Sequence, residues 1–305
     1  MATASEKRAS LKRALASGDL VVAPGVFDMI SAKIADTYGF QSLYMTGYGI
    51  SASYLGLPDA GFATLTDMAT CVRRIAEGTD TPLIADADTG YGGALNVHHT
   101  IRSYESAGAA GIQIEDQEFP KKCGHTLGRR VIPLDDMVTK IQVAADSRSD
   151  PNLLIVARTD ARTTHGLDEA LRRAEAFEKA GADVLFVESP ESEAEMEKIG
   201  RSTDLPLLAN IVEGGRTPVL PADRLSEIGY RIAIYPATGF LAVGAALNSV
   251  YGTLKETGSS RDVTAPLFDF EAFNRMIGFE KVWDFDKKWG VVEAAPETER
   301  KTAEG

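Results

Sequence analysis

Gly111-Ile112-Gln113-Ile114-Glu115-Asp116, followed closely by Lys121-Lys122-Cys123-Gly124-His125, is the stretch on which the fold turns. The first part reads as a short strand that ends on acids. The second part offers a thiol, an imidazole, two ammonium groups and a glycine that lets the backbone approach a ligand. These are the parts needed to hold an anion and to move a proton beside it. The same residues also suit a basic surface loop with an incidental cysteine. The surrounding chain decides between the two.

On either side of this stretch the chain alternates. Short β-rich runs fall at 20–25, 42–46, 82–86, 111–115, 153–157, 183–187, 206–209 and 231–235. Helical stretches separate them. One spans 5–17, and another spans 29–38 with Asp28 as its cap and Gly39 as its stop. Residues 167–179 carry apolar side chains at helical spacing, and 221–228 form a further helical run. Short apolar strands between helices imply parallel pairing with both sheet faces covered. Eight such units predict an α/β fold, a closed (β/α)8 TIM barrel, over residues 1–257. The first strand-to-helix turn lacks a Gly-x-Gly-x-x-Gly fingerprint, which argues against a dinucleotide site. Residues 258–305 form a separate extension. It opens with the break Gly258-Ser259-Ser260, continues as an amphipathic aromatic helix over 269–279, and ends in a polar tail. That helix must cover either its own barrel or a neighbouring subunit.

A length of 305 residues suits one such barrel, which takes ~250 residues. A net charge of −12 spread along the chain argues against nucleic acid as a partner, yet a local cationic pocket for a small anion remains compatible with it. Two cysteines make no disulfide framework and fit a reducing, cytoplasmic setting. Cys71 reads as a buried helical residue. No run approaches the ~20 apolar residues of a membrane span.

A barrel of this kind carries its site at the carboxyl ends of the strands, and that is where the unusual polar residues fall. Tyr44 and the pair Thr46-Gly47 end the second strand. Asp86 and Asp88 end the third, Glu115 the fourth, Arg158 the fifth, Glu188 the sixth and Asn210 the seventh. Taken singly, Asp88 also suits a helix cap, the Glu–Arg pair a structural ion pair, and Asn210 a loop brace. Together they describe an acidic-plus-cationic pocket. Its oxygen-rich donors suit Mg²⁺ or Mn²⁺. Asp86 and Asp88 are the candidate holders, directly or through water, and Glu115 is a further ligand or an acceptor behind it. Arg158, His125 and Asn210 are left to hold a substrate carboxylate, with Lys121 adding positive charge. His98 and His99 read as the solvent-facing start of a helix, and His165 as a loop residue.

These residues resemble the isocitrate lyase/phosphoenolpyruvate mutase superfamily. The motifs that carry the resemblance are Pro24-Gly25-Val26-Phe27-Asp28, Asp86-Ala87-Asp88-Thr89-Gly90-Tyr91-Gly92, Ile114-Glu115-Asp116-Gln117, Lys121 to His125 and Ala157-Arg158-Thr159-Asp160-Ala161. The Lys-Lys-Cys-Gly-His run is similar to that of its carbon–carbon lyase branch. The resemblance implies a Mg²⁺ site organised by Asp86, Asp88 and Glu115 with Asp59 in the outer shell. It also implies a mobile loop bearing Cys123, and a homotetramer with an exchanged C-terminal helix. The chain is too short for a large isocitrate lyase. The run after His125 looks closer to the 2,3-dimethylmalate lyase group than to methylisocitrate lyases. The reaction implied is retro-aldol (Claisen-type) cleavage of a 2-hydroxy dicarboxylate. Cys123 would protonate the carbanion, as a thiol of ordinary pKa (~8.5) can at neutral pH. Tyr44 is the candidate for removing the hydroxyl proton. Lys121, Gly124, Glu188, Thr46, Gly47 and Tyr48 would line the substrate, with apolar residues near Tyr48, Pro236 and Thr238 shaping its alkyl end. Methylisocitrate lyase, oxaloacetate acetylhydrolase and a non-catalytic metabolite-binding barrel are the alternatives.

Overall fold

The computed structural model describes residues 2–290, with His125 and Leu127 left out. Strands β1 (Val21–Val26), β2 (Leu43–Met45), β3 (Leu83–Asp86), β4 (Gly111–Glu115), β5 (Leu154–Thr159), β6 (Val184–Val187), β7 (Leu207–Asn210) and β8 (Tyr230–Tyr235) form one parallel sheet. It closes where β1 pairs with β8, Val21 opposite Ile232 and Pro24 opposite Tyr235. The chain is therefore the predicted (β/α)8 barrel.

Side chains alternate across each strand, so the barrel has two apolar layers. Inward-facing Val21, Ala23, Ile84, Leu154, Val156 and Phe186 belong to one cluster, together with Leu208, Ile232 and Ile234. Outward-facing Leu83, Ala85, Ile112, Ile155, Leu185 and Ala209 pack against the surrounding helices in a second. Leu11 and Leu15, from the helix Ala4–Ala16, join the inner cluster. That helix therefore closes the end of the barrel opposite the strand carboxyl termini. Lys7 and Arg8 tie it down by donating to the carbonyls of Ala76, Thr79, Ala109 and Glu105.

Local signals act as expected in most places. Asp28 caps the helix Met29–Asp36 through the Ser31 N–H. That helix stops two residues short of the predicted end, and Gly39 at φ +70 turns the chain. Cys71 is buried in the helix Leu65–Gly78. His98 and His99 are exposed, but they lie within the helix Ala94–Ala107 rather than at its start.

The chain divides into two compact units, residues 1–247 and the remainder from Asn248. Gly258 takes φ +67 after the helix Thr238–Thr257. The predicted amphipathic helix spans Phe270–Ile277, capped by Asp269. Gly278 at φ +101 then breaks the chain, and a second helix, Phe279–Trp289, follows. The sequence reading placed the first of these, over 269–279, and did not include the second. Phe270, Trp283, Phe285 and Trp289 are all more than half exposed. Among the described residues no helix is long and apolar enough to cross a membrane.

Candidate active site

The inward-facing register that fills the barrel with apolar side chains also delivers the site. On β5 the inner face runs Leu154, Val156, Arg158. On β6 it runs Val184, Phe186 and then Glu188 just beyond the strand. Ile84 leads to Asp86, Gln113 to Glu115, and Leu208 to Asn210. These inner rows are apolar until a polar last member that is less than a tenth exposed, except on β4, where Gln113 is already polar.

The acidic side gathers Asp59, Asp86, Asp88 and Glu115 around Lys121. The Lys121 ammonium lies 2.5 Å from Asp59 Oδ1 and 2.6 Å from Asp88 Oδ1. Asp88 sits at φ +48, a conformation that Asp tolerates better than most residues, and its N–H donates to Asp86 Oδ1 at 3.0 Å. It does not cap the next helix, whose first N–H groups follow Gly93. Burial pushes the Asp88 carboxyl up to about 7, against the pull of Lys121 and with the push of Asp86. Burial likewise holds Glu115 well above the usual carboxylate range, opposed by Arg158 and Lys121. For Lys121 burial acts downward, but Asp88 and Asp59 outweigh it and keep the ammonium charged.

The donor chemistry fits a hard divalent cation. Gly47 is the reason there is room: a Cβ at this position would lie 2.7 Å from Asp86 Oδ2 and 3.5 Å from Asp88 Oδ1. Glu115 Oε1 is buried with no hydrogen-bond partner among the described residues. Among those residues, however, no three His, Cys, Asp or Glu side chains converge as direct ligands. The arrangement therefore suits Mg²⁺ taken by one or two carboxylates, with waters and substrate oxygens completing its shell.

The cationic side is centred on Arg158. Its Nε and NH2 grip Asp160 at 2.8 and 2.9 Å and approach Glu115 and Glu188 at 3.3 Å each. The guanidinium lies 5.1 Å over the Phe186 ring. Asn210 donates to Glu188 Oε2 at 3.0 Å. Cys123 approaches from the loop after β4, its N–H donating to the Asp59 carbonyl at 3.1 Å. The carbonyl of Gly124 accepts from Ser189 Oγ at 3.0 Å. His125, a predicted carboxylate anchor, lies outside the described residues.

These groups share a cavity of about 260 Å³ lined by Tyr44, Thr46, Asp59, Asp86, Lys121, Cys123, Gly124, Arg158 and Asn210. Tyr48 lines it too, and packs against Phe240 with ring centroids 5.1 Å apart. Val212, Ile234, Pro236, Ala237, Phe240 and Leu241 make an apolar wall opposite these polar groups.

Two expectations change. Tyr44 does not suit the role of base: its hydroxyl donates to Gln113 Oε1 at 2.9 Å, and burial, reinforced by Asp86, raises its pKa well above 10. It stays protonated. Glu188 is completely buried and is not part of the cavity lining. Its carboxylate meets Arg158 and Asn210. Gln113 was missed. It donates to Asp86 Oδ1 at 3.3 Å while accepting from Tyr44. Its signal was there, a polar residue in the middle of an apolar strand. Asp160 was quoted as part of a motif but given no role. The apolar wall had only a partial signal, because it comes from the loop after β7, from β8 and the turn after it, and from the start of the helix Thr238–Thr257.

Comparison with known proteins agrees with this geometry. The family described as phosphoenolpyruvate phosphomutase matches residues 11–255. The chain is 46% identical over 283 residues to 2,3-dimethylmalate lyase of Eubacterium barkeri, covering 93% of this chain and 98% of that one. It is 42% identical to 2-methylisocitrate lyase of Aeropyrum pernix, covering 91% and 88%. Crystal structures of 2,3-dimethylmalate lyase (TM-score 0.87, 37% identity, 95% and 96% coverage) and of oxaloacetate acetylhydrolase with 3,3-difluorooxalacetate (0.88, 33%, 94% and 98%) share the fold. A barrel with this loop, these strand-end acids and these relatives belongs to the PEP mutase/isocitrate lyase superfamily.

Proposed function

We propose that the chain is a Mg²⁺-dependent carbon–carbon lyase. It cleaves a 2-hydroxy dicarboxylate of the 2-alkylmalate class, such as 2,3-dimethylmalate, to a 2-oxo acid and a carboxylic acid. One observation carries this reading. The Cys123 thiol, the Asp86 carboxylate and the Arg158 guanidinium line one cavity, and Val212, Ile234, Pro236, Ala237, Phe240 and Leu241 give it an apolar wall. Asp86 and Asp88 would hold Mg²⁺, or Mn²⁺ in its place, and the bound ion would supply Lewis-acid polarisation of the substrate's 2-hydroxyl.

The chain's own residues do the rest. Arg158 and Asn210 hold the second carboxylate and stabilise the charge that develops there as the bond breaks. Nε and NH2 of Arg158 are committed to carboxylates, which leaves NH1 as its nitrogen without a partner among the described residues. Cys123 donates a proton to the carbanion carbon as general acid. Tyr44 stays a hydrogen-bond donor beside Asp86. Lys121 keeps Asp59 and Asp88 compensated, and Gly124 lets the loop pack against Arg158.

The apolar wall favours an alkyl substituent over the third carboxylate of methylisocitrate. It has no cation among its described residues, and the nearby charge, Glu213, is acidic. We also infer a cytoplasmic homotetramer. Two free thiols fit a reducing compartment, and the exposed aromatic faces of Phe270–Ile277 and Phe279–Trp289 need cover.

The test is product analysis with Mg²⁺ and 2,3-dimethylmalate, other 2-alkylmalates, methylisocitrate, isocitrate and oxaloacetate. Pyruvate from 2,3-dimethylmalate is expected. Pyruvate from methylisocitrate alone would reassign the chain as a methylisocitrate lyase. Oxalate plus acetate from oxaloacetate alone would make it a hydrolase. No product from any substrate would leave a binding barrel. Cys123→Ala is expected to abolish turnover while leaving Mg²⁺ affinity unchanged by calorimetry. Full activity in that variant would refute the general-acid role.

A further inference from the structure

The loop that carries Cys123 ends in Gly128-Arg129-Arg130-Val131, and Arg129 has no part in the reaction as described. Arg130 is a surface residue paired with Glu118 at 2.7 Å. Arg129 is 2% exposed. Its NH1 donates to Asp160 Oδ1 at 2.5 Å and its NH2 to Thr163 Oγ1 at 2.5 Å. Asp160 is fully buried and directs the same carboxylate at Arg158, with Oδ2 to Nε and Oδ1 to NH2. The loop backbone fixes this placement. Gln117 and Val131 form an antiparallel bridge, and the Glu118 N–H donates to the Arg130 carbonyl at 2.9 Å. One loop thus brings Cys123 to the cavity and a second guanidinium to the back of Arg158.

The geometry points to Arg129 as a positioning residue: by clamping Asp160 it sets the orientation of the Arg158 guanidinium, so that loop docking and presentation of the carboxylate anchor occur together. This rests on the lyase reading, in which Arg158 holds a substrate carboxylate. Arg158 faces three carboxylates, Glu115, Asp160 and Glu188. Arg129 neutralises part of that surplus and shares Asp160 Oδ1 with Arg158 NH2. Without it Asp160 acts on Arg158 alone, and more negative charge faces an incoming dianion. Both substrate affinity and turnover should suffer.

The test is a double-mutant cycle on steady-state kinetics with Mg²⁺ and 2,3-dimethylmalate, using Arg129→Met, Arg129→Lys and Arg158→Lys. Arg129→Met is expected to raise KM and lower kcat, with a combined loss of roughly 10- to 100-fold, the scale of an ångström-level misplacement. Arg129→Lys can reach one partner but not both, and should fall between. In the Arg158→Lys background, Arg129→Met should add no further loss. Wild-type kinetics in Arg129→Met would overturn the proposal, as would an equal loss in both backgrounds. Thr163→Val, which removes one anchor without unpairing a charge, carries the same cycle if Arg129→Met does not fold. If the wild type cleaves none of the substrates, it is the lyase reading that fails. The cycle is then read on oxalate affinity by calorimetry, with the same two outcomes.

Discussion

A methyl group at position 124 has nowhere to go. A Cβ there would collide with Arg158 NH2 and lie 2.7 Å from Glu188 Oε2. Those two side chains are buried, and neither is the free end of a flexible surface residue. The glycine of the Lys-Lys-Cys-Gly-His run is therefore a matter of close approach between the loop and the anchor. Gly124→Ala is expected to lose roughly 10- to 100-fold in kcat/KM, because the loop must lift or Arg158 must turn. Its melting temperature should stay close to the wild type's, since the loop packs over a finished barrel. Calorimetry beside the kinetic assay checks both halves, and a wild-type rate would refute the contact. Gly47 follows the same logic on the acidic side, where the missing Cβ leaves space before Asp86 and Asp88.

At the scale of elements, the site depends on the period of the strands. The inner rows turn from apolar to polar at the strand ends, with Gln113 on β4 the early exception, so the residues that fill the barrel aim those that line the site. A one-residue slip in β5 would turn Arg158 outward and Thr159 inward. The helix Ala4–Ala16 belongs to the same inner layer through Leu11, which is fully buried. Leu11→Ala is expected to cost about 2–5 kcal/mol of unfolding free energy, the range for a large aliphatic truncated in a packed core. Urea unfolding measures it, and a loss well below 1 kcal/mol would show that the helix is not part of the core. The first aromatic helix of the extension was visible in the sequence, ending close to Gly278, but the second, Phe279–Trp289, was not. Its run is dense in charged residues between the aromatics, which masks the apolar spacing.

At the scale of the molecule, the proposed homotetramer is supported by the exposed aromatic residues of the extension. Sedimentation of the full chain is expected to give a homotetramer, and removal of residues 258–305 a smaller species. A monomeric full chain at micromolar concentration would refute the assembly. The sequence by itself determined the barrel, because eight alternations of short apolar strand and helix admit few other closed arrangements. It also determined most of the polar set, because a barrel exposes chemistry at strand ends and Asp86, Glu115, Arg158 and Asn210 stand there. Only the tertiary structure decided how those residues divide the work. It placed Lys121 between two aspartates, made Tyr44 a donor, put Glu188 behind the cavity lining and brought Arg129 to Asp160 across 31 positions of chain. Those roles depend on distances between residues far apart in sequence and on how fully each charge is desolvated. Neither quantity is written in local pattern.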